Sequence, residues 1–369
     1  MSSPSAPAPV RPRPAPIRPR AARGRIALLA LGGACLLAGL DAALLAVGVW
    51  APVPAGHLPD VHGMVMVLGF MGTVIALERA QALRQPWAYL APGVLGAGGV
   101  ALVLGQHVLG QLLLVEGCVF FLLVYLALWR RAPVPLVAVQ VLSVVLAGAA
   151  AALWLVVDVA ALIGLLAGFL VLTIASERAE LAQLTMGPRA VPTLIALGSW
   201  VALAAVATLL WPDAGARALV LGVLVIALWL LKADVPRRMV RTEGLRRYNG
   251  AALLGGYAWL AVAGLTWLVG GLPATDAAYD VVIHATFLGF GVSMIMAHAP
   301  IIFPTVLGRP LPYRPVLWVP LVALNLTLLV RVVGDLTGRG PLWEVGSVGT
   351  VVALLLFVVT AVGVVVRGE

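Results

Sequence analysis

Twelve long apolar runs dominate this chain of 369 residues. A membrane-spanning helix needs about 20 predominantly apolar residues to cross the hydrocarbon core of a bilayer. Only 11% of the residues are charged and 62% are hydrophobic, so a water-facing globule of this size could not cover its surface. The sequence therefore predicts an all-α polytopic protein whose first partner is the lipid bilayer. It excludes a soluble enzyme, a nucleic-acid-binding domain and a disordered chain. The predicted spans are residues 26–50, 61–79, 88–106, 109–129, 133–154, 157–176, 191–211, 214–231, 249–271, 277–303, 314–334 and 341–366.

The basic residues test this count of spans. With twelve spans, all of the 24 basic residues except Arg217, Arg331 and Arg339 fall on one side of the membrane, together with both termini. Cytoplasmic segments carry such an excess of Arg and Lys, so we expect both termini to be cytoplasmic. Only Lys232 among the basic residues is a lysine, which is typical of a GC-rich bacterial genome and indicates the bacterial inner membrane. Residues 1–25 are rich in Pro, Ala and Arg and predict a disordered basic tail before a twelve-helix domain at 26–369.

Part of the second span recurs later in the chain. Gly-Phe at residues 69–70 and Glu-Arg-Ala at 78–80 reappear 99 residues later, at 168–169 and 177–179. A weaker match lies 220 residues after the first, where Leu-Gly-Phe stands at 288–290. Matches four spans apart predict three parallel four-helix repeats around a pseudo-threefold axis along the membrane normal. The repeats cover about 26–132, 133–248 and 249–369. We interpret the Glu-Arg pairs as structural ion pairs or helix-end anchors.

The chain has five histidines, and four of them are predicted to lie at outer helix ends. These are His57, His62, His107 and His284, whereas His298 falls at the inner end of span 10. Histidine is costly in lipid and usually faces a partner or a cavity. His62 and His284 lie near the starts of two parallel spans, but their distances from the shared Gly-Phe differ by two residues. Two residues turn a helical side chain by about 200°, which allows both rings to face one cofactor. The alternative is that each ring forms a hydrogen bond at a helix end.

The segment His-Gly-Met-Val-Met-Val-Leu-Gly-Phe at 62–70 resembles the second helix of haem–copper oxidase subunit I. In that family a His-Gly-x-x-Met segment supplies an axial haem ligand, and the twelve spans and threefold four-helix repeats are similar too. The chain resembles more closely the NnrS family of haem- and copper-associated bacterial membrane proteins. Members of that family carry an early helix with His, Met and Gly-Phe. They also carry a late helix that begins His-Ala, here at 284–285, and runs toward Gly-Arg-Pro-Leu, here at 308–311.

This resemblance implies one b-type haem near the outer face, with His62 and His284 as ligands of the iron. It also implies a redox role or a role related to nitric oxide or another gas, and a quinol or a cytochrome as electron partner. The oxidases bind copper through histidines on helices 6 and 7, but no histidine lies between His107 and His284. We therefore expect no oxygen-reducing copper centre. Covalent haem attachment is excluded because the sequence has no Cys-x-x-Cys-His.

Three charged residues are candidates for supporting the haem. Asp280 lies one turn before His284 and could orient its ring, although a carboxylate in water at the membrane surface is the alternative. Arg331 and Arg339 flank the outer end of span 11, and in the oxidases similar arginines pair with the haem propionates. The alternative for Arg331 is an ion pair with Asp335 one turn later.

Two other functions stay open at this level. One is a cofactor-free transporter of small solutes. The other is a copper-handling or oxidase-assembly protein, with His57 and His107 as weaker candidate copper ligands. The sequence assigns no role to His298, Asp41 or Glu116.

Overall fold

The computed structural model describes residues 19–270, 275–308 and 311–367. Over these ranges all regular structure is helical, and twelve helices are long and apolar enough to cross a membrane. The prediction of an all-α polytopic membrane protein is therefore confirmed. The helices are α1 (Arg23–Val47), α2 (Leu58–Leu83), α3 (Pro86–Val103), α4 (His107–Arg131), α5 (Pro135–Leu153), α6 (Val159–Leu181), α7 (Ala190–Leu210), α8 (Pro212–Ala233), α9 (Gly244–Gly270), α10 (Asp276–Pro304), α11 (Pro315–Leu336) and α12 (Pro341–Arg367).

Local sequence explains where many of these helices begin and end. The first residue of α3, α5, α8, α11 and α12 is a proline, which suits the start of a helix because its missing N–H would have no partner there. Arg84, directly after α2, and Gly308, at the end of the helical run of α10, adopt left-handed backbone angles that stop a helix. The turns therefore fall close to the predicted ends of the apolar runs.

The boundary of the predicted N-terminal tail needs a correction. Residues 1–18 of the tail lie outside the described residues, but helix leading into α1 already begins at Pro19. Residues 19–25 are thus helical rather than part of a disordered tail. Alanine and arginine, which make up most of this stretch, are strong helix formers, so the helix extends beyond the apolar run.

The three helices that the repeat relates are also the most buried ones. The protein covers 72% of the apolar window of α2, 83% of that of α6 and 78% of that of α10, whereas no other helix exceeds 50%. A helix that is apolar all round belongs in the interior of a bundle. Helices α2, α6 and α10 therefore form the centre, and the other nine surround them.

The backbones of α2 and α10 share an unusual feature. Each contains an eight-residue π-helical segment, Val65–Gly72 in α2 and Ala285–Val292 in α10. The two segments are 220 residues apart at both ends, which is the offset of the weaker sequence match. Helix α6 is α-helical over its whole length, Val159–Leu181. Such π segments are rare and occur frequently at functional sites, so α2 and α10 are distinguished from α6.

Equivalent glycines in the two π segments let neighbouring helices approach closely. A Cβ atom added at Gly69 would lie 3.1 Å from the Cα atom of Gly99 and 3.2 Å from the sulfur of Cys35. A Cβ atom added at Gly289 would overlap the side chain of Trp259. Small residues at such crossings are the usual means by which membrane helices pack tightly.

Candidate functional site

The histidine cavity, as we call it, lies between α2, α6 and α10 at the end of the bundle opposite most arginines. The empty space within its boundary, counted together with the part open to solvent, is about 710 Å³. His62 from α2 and His284 from α10 line it, together with Arg331 from α11. The remaining wall is almost entirely apolar and includes Val67 and Phe287. The structure thus brings together the two histidines that the sequence pairs.

Both rings are held in the same way. Nδ1 of His62 lies 2.9 Å from the carbonyl oxygen of Gly39, and Nδ1 of His284 lies 2.9 Å from the carbonyl oxygen of Asp280. A carbonyl oxygen can only accept, so the hydrogen-bond pattern assigns the ring proton to Nδ1 in each case. Nε2 of each ring forms no hydrogen bond with a described residue and keeps its lone pair. An imidazole with Nδ1–H bound to a carbonyl and a free Nε2 is the usual form of a metal-ligating histidine.

Asp280 connects the ring of His284 to Arg331. Its carboxylate lies 3.3 Å from Nδ1 of His284 and accepts two hydrogen bonds of 2.7 Å from the guanidinium of Arg331. Asp280 is only 6% exposed and Arg331 only 5%, so the pair is buried and Asp280 is not a carboxylate in water. Arg331 therefore pairs with Asp280 rather than with Asp335. Its Nη1 forms no hydrogen bond with a described residue.

Arg339 closes the end of the bundle beside this pair. It donates to the carboxylate of Asp335 at 3.1 Å and to the carbonyl oxygen of Asp276 at 2.6 Å. The guanidinium carbons of Arg339 and Arg331 lie 5.2 and 5.7 Å from the centre of the Trp343 ring, within the range of cation–π attraction. The structure does not place Arg339 on the wall of the histidine cavity. Its predicted contact with a haem propionate stays a prediction.

The weaker copper candidates also meet in the structure. The ring centres of His57 and His107 are 5.5 Å apart, and Nε2 of His57 lies 3.0 Å from the carbonyl oxygen of Val103. Within the part of the chain that the structure describes, no group of three or more His, Cys, Asp or Glu side chains could hold a metal ion. A copper ion at this pair would therefore lack a third protein ligand. A haem iron needs only axial ligands from the protein, because the porphyrin supplies the other donors.

A second cavity, the axial cavity, lies on the same three central helices toward the basic end. Its empty volume is about 550 Å³, and Met71 lines both cavities. Its polar wall residues are Glu78, Glu177 and His298. These three stand at the offsets of 99 and 220, so they occupy equivalent positions on α2, α6 and α10. The sequence offsets therefore already contained the signal that His298 lies with Glu78 and Glu177.

Ion pairs between helices surround the axial cavity. Arg79 contacts Glu78 at 2.8 Å, Glu177 at 3.3 Å and Glu180 at 3.4 Å. The ion pairs expected at these helix ends therefore form, but partly across helices, because Glu177 belongs to α6 and Arg79 to α2. His298 differs from the two histidines of the other cavity, since both of its ring nitrogens have partners.

The chain is thus a twelve-helix membrane protein with a cavity lined by two histidines at one end of its three central helices. A family model described as "Domain of unknown function (DUF8744)" matches residues 25–366, and the chain belongs to that family. No curated protein and no solved structure matches it.

Proposed function

We propose that this protein is an integral membrane haem protein that holds one b-type haem between α2 and α10, with His62 and His284 as axial ligands. One observation carries the proposal. Two histidines from facing helices line one apolar cavity, each with Nδ1 bound to a carbonyl oxygen and Nε2 free. His298, by contrast, has a partner for each of its ring nitrogens.

The rest of the cavity wall fits the same group. Val67 and Phe287 offer the apolar contact that a porphyrin needs, and Arg331 is a buried cation suited to a propionate. Haem bound in this way supplies one-electron redox chemistry.

Asp280 and Arg331 position one of the two proposed ligands. The carboxylate of Asp280 beside Nδ1–H of His284 increases electron density on the ring and holds its plane. Arg331 in turn holds Asp280 through two hydrogen bonds. His62 has only the carbonyl of Gly39 as a partner, so the two rings are held differently.

The cellular setting is a further part of the proposal. The positive-inside pattern supports the bacterial inner membrane with both termini in the cytoplasm and the histidine cavity near the outer face. The likeness to the NnrS family supports a role related to nitric oxide or another gas. It also supports a quinol or a cytochrome as electron partner. Reporter fusions at the C-terminus, read for cytoplasmic or periplasmic activity, test the orientation.

Absorbance spectra of the purified protein test the haem. We expect a Soret band and sharp α-bands on reduction, and we expect both to be absent in His62→Ala and His284→Ala. His298→Ala is the matched control, because that histidine has no free ring nitrogen and its loss should leave the spectrum intact. A folded wild-type preparation without colour, after expression with added haem precursor, would overturn the proposal.

The axial cavity favours a second candidate function, transport of a small solute. The two cavities follow one another along the same central helices and share Met71, so together they outline a route through the bundle. A colourless protein that a solute stabilises against thermal unfolding would support this function. Mass-spectrometric metal analysis of His57→Ala and His107→Ala tests the copper-handling alternative.

A further inference from the structure

A third cavity, the basic cavity, lies at the end of α8 where most arginines gather. Its empty volume is about 720 Å³, and Lys232, Arg237 and Arg238 line it. All three side chains are exposed, and none of them forms an ion pair or a side-chain hydrogen bond with a described residue. Like charges repel one another, so three cations around one cavity call for an anion.

The one carboxylate beside this cavity is already engaged. Asp234 accepts hydrogen bonds of 2.8 and 2.9 Å from Arg178 and one of 2.6 Å from the hydroxyl of Tyr257. It also accepts one of 2.7 Å from the backbone N–H of Val235, and its side chain has no exposed surface. Asp234 therefore neutralises Arg178 and leaves the three cations of the basic cavity without a counter-ion.

An apolar stripe leads along α8 to the basic cavity. Leu221, Val225 and Leu228 are 44%, 41% and 60% exposed. These three residues and Lys232 are separated by four, three and four residues in turn. Side chains at such intervals lie on one face of a helix. The other faces of α8 pack against α7 and α9, so the stripe faces the bilayer. A ligand that covers both features has an acyl chain and an anionic headgroup.

We propose that the basic cavity binds the phosphate of an anionic glycerophospholipid whose acyl chain lies along Leu221, Val225 and Leu228. Arginine pairs bidentately with phosphate oxygens, and basic pockets between membrane helices are suited to such headgroups. A zwitterionic lipid would bring its own ammonium group to a site that already holds three cations. This lipid site is independent of the haem and adds a specific partner to the bilayer itself.

Native mass spectrometry with added phosphatidylglycerol or phosphatidylcholine tests the site. We expect phosphatidylglycerol to bind wild type in preference to phosphatidylcholine. A direct hydrogen bond to a charged group contributes about tenfold or more to the affinity, so the double variant Arg237→Gln/Arg238→Gln, which loses two such donors, should bind about 100-fold more weakly. The matched control is Arg246→Gln/Arg247→Gln, which removes the same charge at the same end of the bundle outside the cavity. Equal losses in the two double variants would mean general electrostatic attraction and would overturn the site.

Two further experiments distinguish a bound lipid from free phosphate in the basic cavity. Leu228→Asn interrupts the stripe and should weaken phosphatidylglycerol binding, whereas Leu203→Asn changes a 73% exposed leucine of α7 and should not. Inorganic phosphate and glycerol phosphate serve as competitors. If they displace the lipid at equal concentration and Leu228→Asn has no effect, the cavity binds a free anion and the lipid proposal is wrong.

Discussion

The histidine cavity and the axial cavity lie on the same three helices. The polar residues of the axial cavity stand at equivalent positions of the repeat, whereas those of the histidine cavity do not. Glu78, Glu177 and His298 stand at equivalent positions, so all three approach the axial cavity together. His62 and His284 are not equivalent, because they are offset by two residues beyond the repeat. The repeat therefore relates the central helices, and a departure from the repeat places two histidines on one cavity.

The two cavities also differ in how their histidine nitrogens are partnered. Around the axial cavity Arg79 pairs with glutamates across helices and His298 uses both ring nitrogens, although Oε1 of Glu177 and Nε of Arg79 form no hydrogen bond with a described residue. In the histidine cavity each ring retains one free nitrogen. The difference between the two cavities therefore lies in their histidines, because an imidazole nitrogen that keeps its lone pair can bind a metal ion.

The largest expected effect is the loss of haem from His284→Gly. The variant should lack the Soret band, and added imidazole should restore it because the glycine leaves room for a free ring beside Asp280. Optical titration with imidazole measures this effect. A Soret band that His284→Gly gains on addition of imidazole, while the wild-type spectrum stays unchanged, supports ligation. A full Soret band in His284→Gly without imidazole would show that His284 is not a ligand.

Arg331→Ala should cause the largest loss of stability. It removes both hydrogen bonds that the buried Asp280 carboxylate accepts from Arg331 and leaves only Arg339, whose Nη2 lies 3.8 Å away, so the cost should approach that of a broken buried pair, about 3–5 kcal/mol. Denaturant unfolding in detergent measures the change. Arg339→Ala is the matched control, because its side chain is 31% exposed and its ion pairs are worth at most about 1 kcal/mol. Similar losses in both variants would contradict the central place of the Arg331–Asp280 pair.

Gly289→Ala should have an intermediate effect. The added methyl group meets Trp259, and overpacking costs about 1–3 kcal/mol. The strain falls in the π segment next to His284, so the reduced haem spectrum should shift as well. Gly33→Ala, where no atom lies within 4 Å of the added group, should be neutral or slightly stabilising. Equal stability of the two variants would show that the close approach of α9 is unimportant.

Glu177→Gln should have the smallest effect. Arg79 retains Glu78 and Glu180 as partners, so stability should change by about 1 kcal/mol or less. The haem spectrum should be unchanged, because the axial cavity does not contact the proposed iron ligands. A shifted spectrum would break the distinction between the two cavities and connect Glu177 to the cofactor.

Much of the architecture could be predicted from local properties of the chain. The twelve spans follow from the thickness of a bilayer, which each apolar run meets by itself. The pairing of His62 with His284 follows from their place on two related helices. The predicted tail extends too far, since a hydropathy boundary does not register a helix that continues beyond the apolar run to Pro19.

The partners of the charged residues could not be predicted in this way. Arg331 has Asp335 one turn away in sequence, but it binds Asp280 on another helix. Glu177 lies beside Arg178 in the chain, but it contacts Arg79 while Arg178 binds Asp234. Ion pairing depends on which helix faces are brought together, and residues adjacent in a helix point in different directions.

By itself the sequence determined the number of spans, their order, the repeat and the two histidines that share a cavity. These properties depend on hydrophobicity and helical spacing, which act along one segment at a time. Only the tertiary structure decided which nitrogens are free, which carboxylate holds which arginine, and that three cations surround an open cavity at the end of α8. Those features depend on distances between helices, and distances of a few ångströms decide whether a polar group is paired or available.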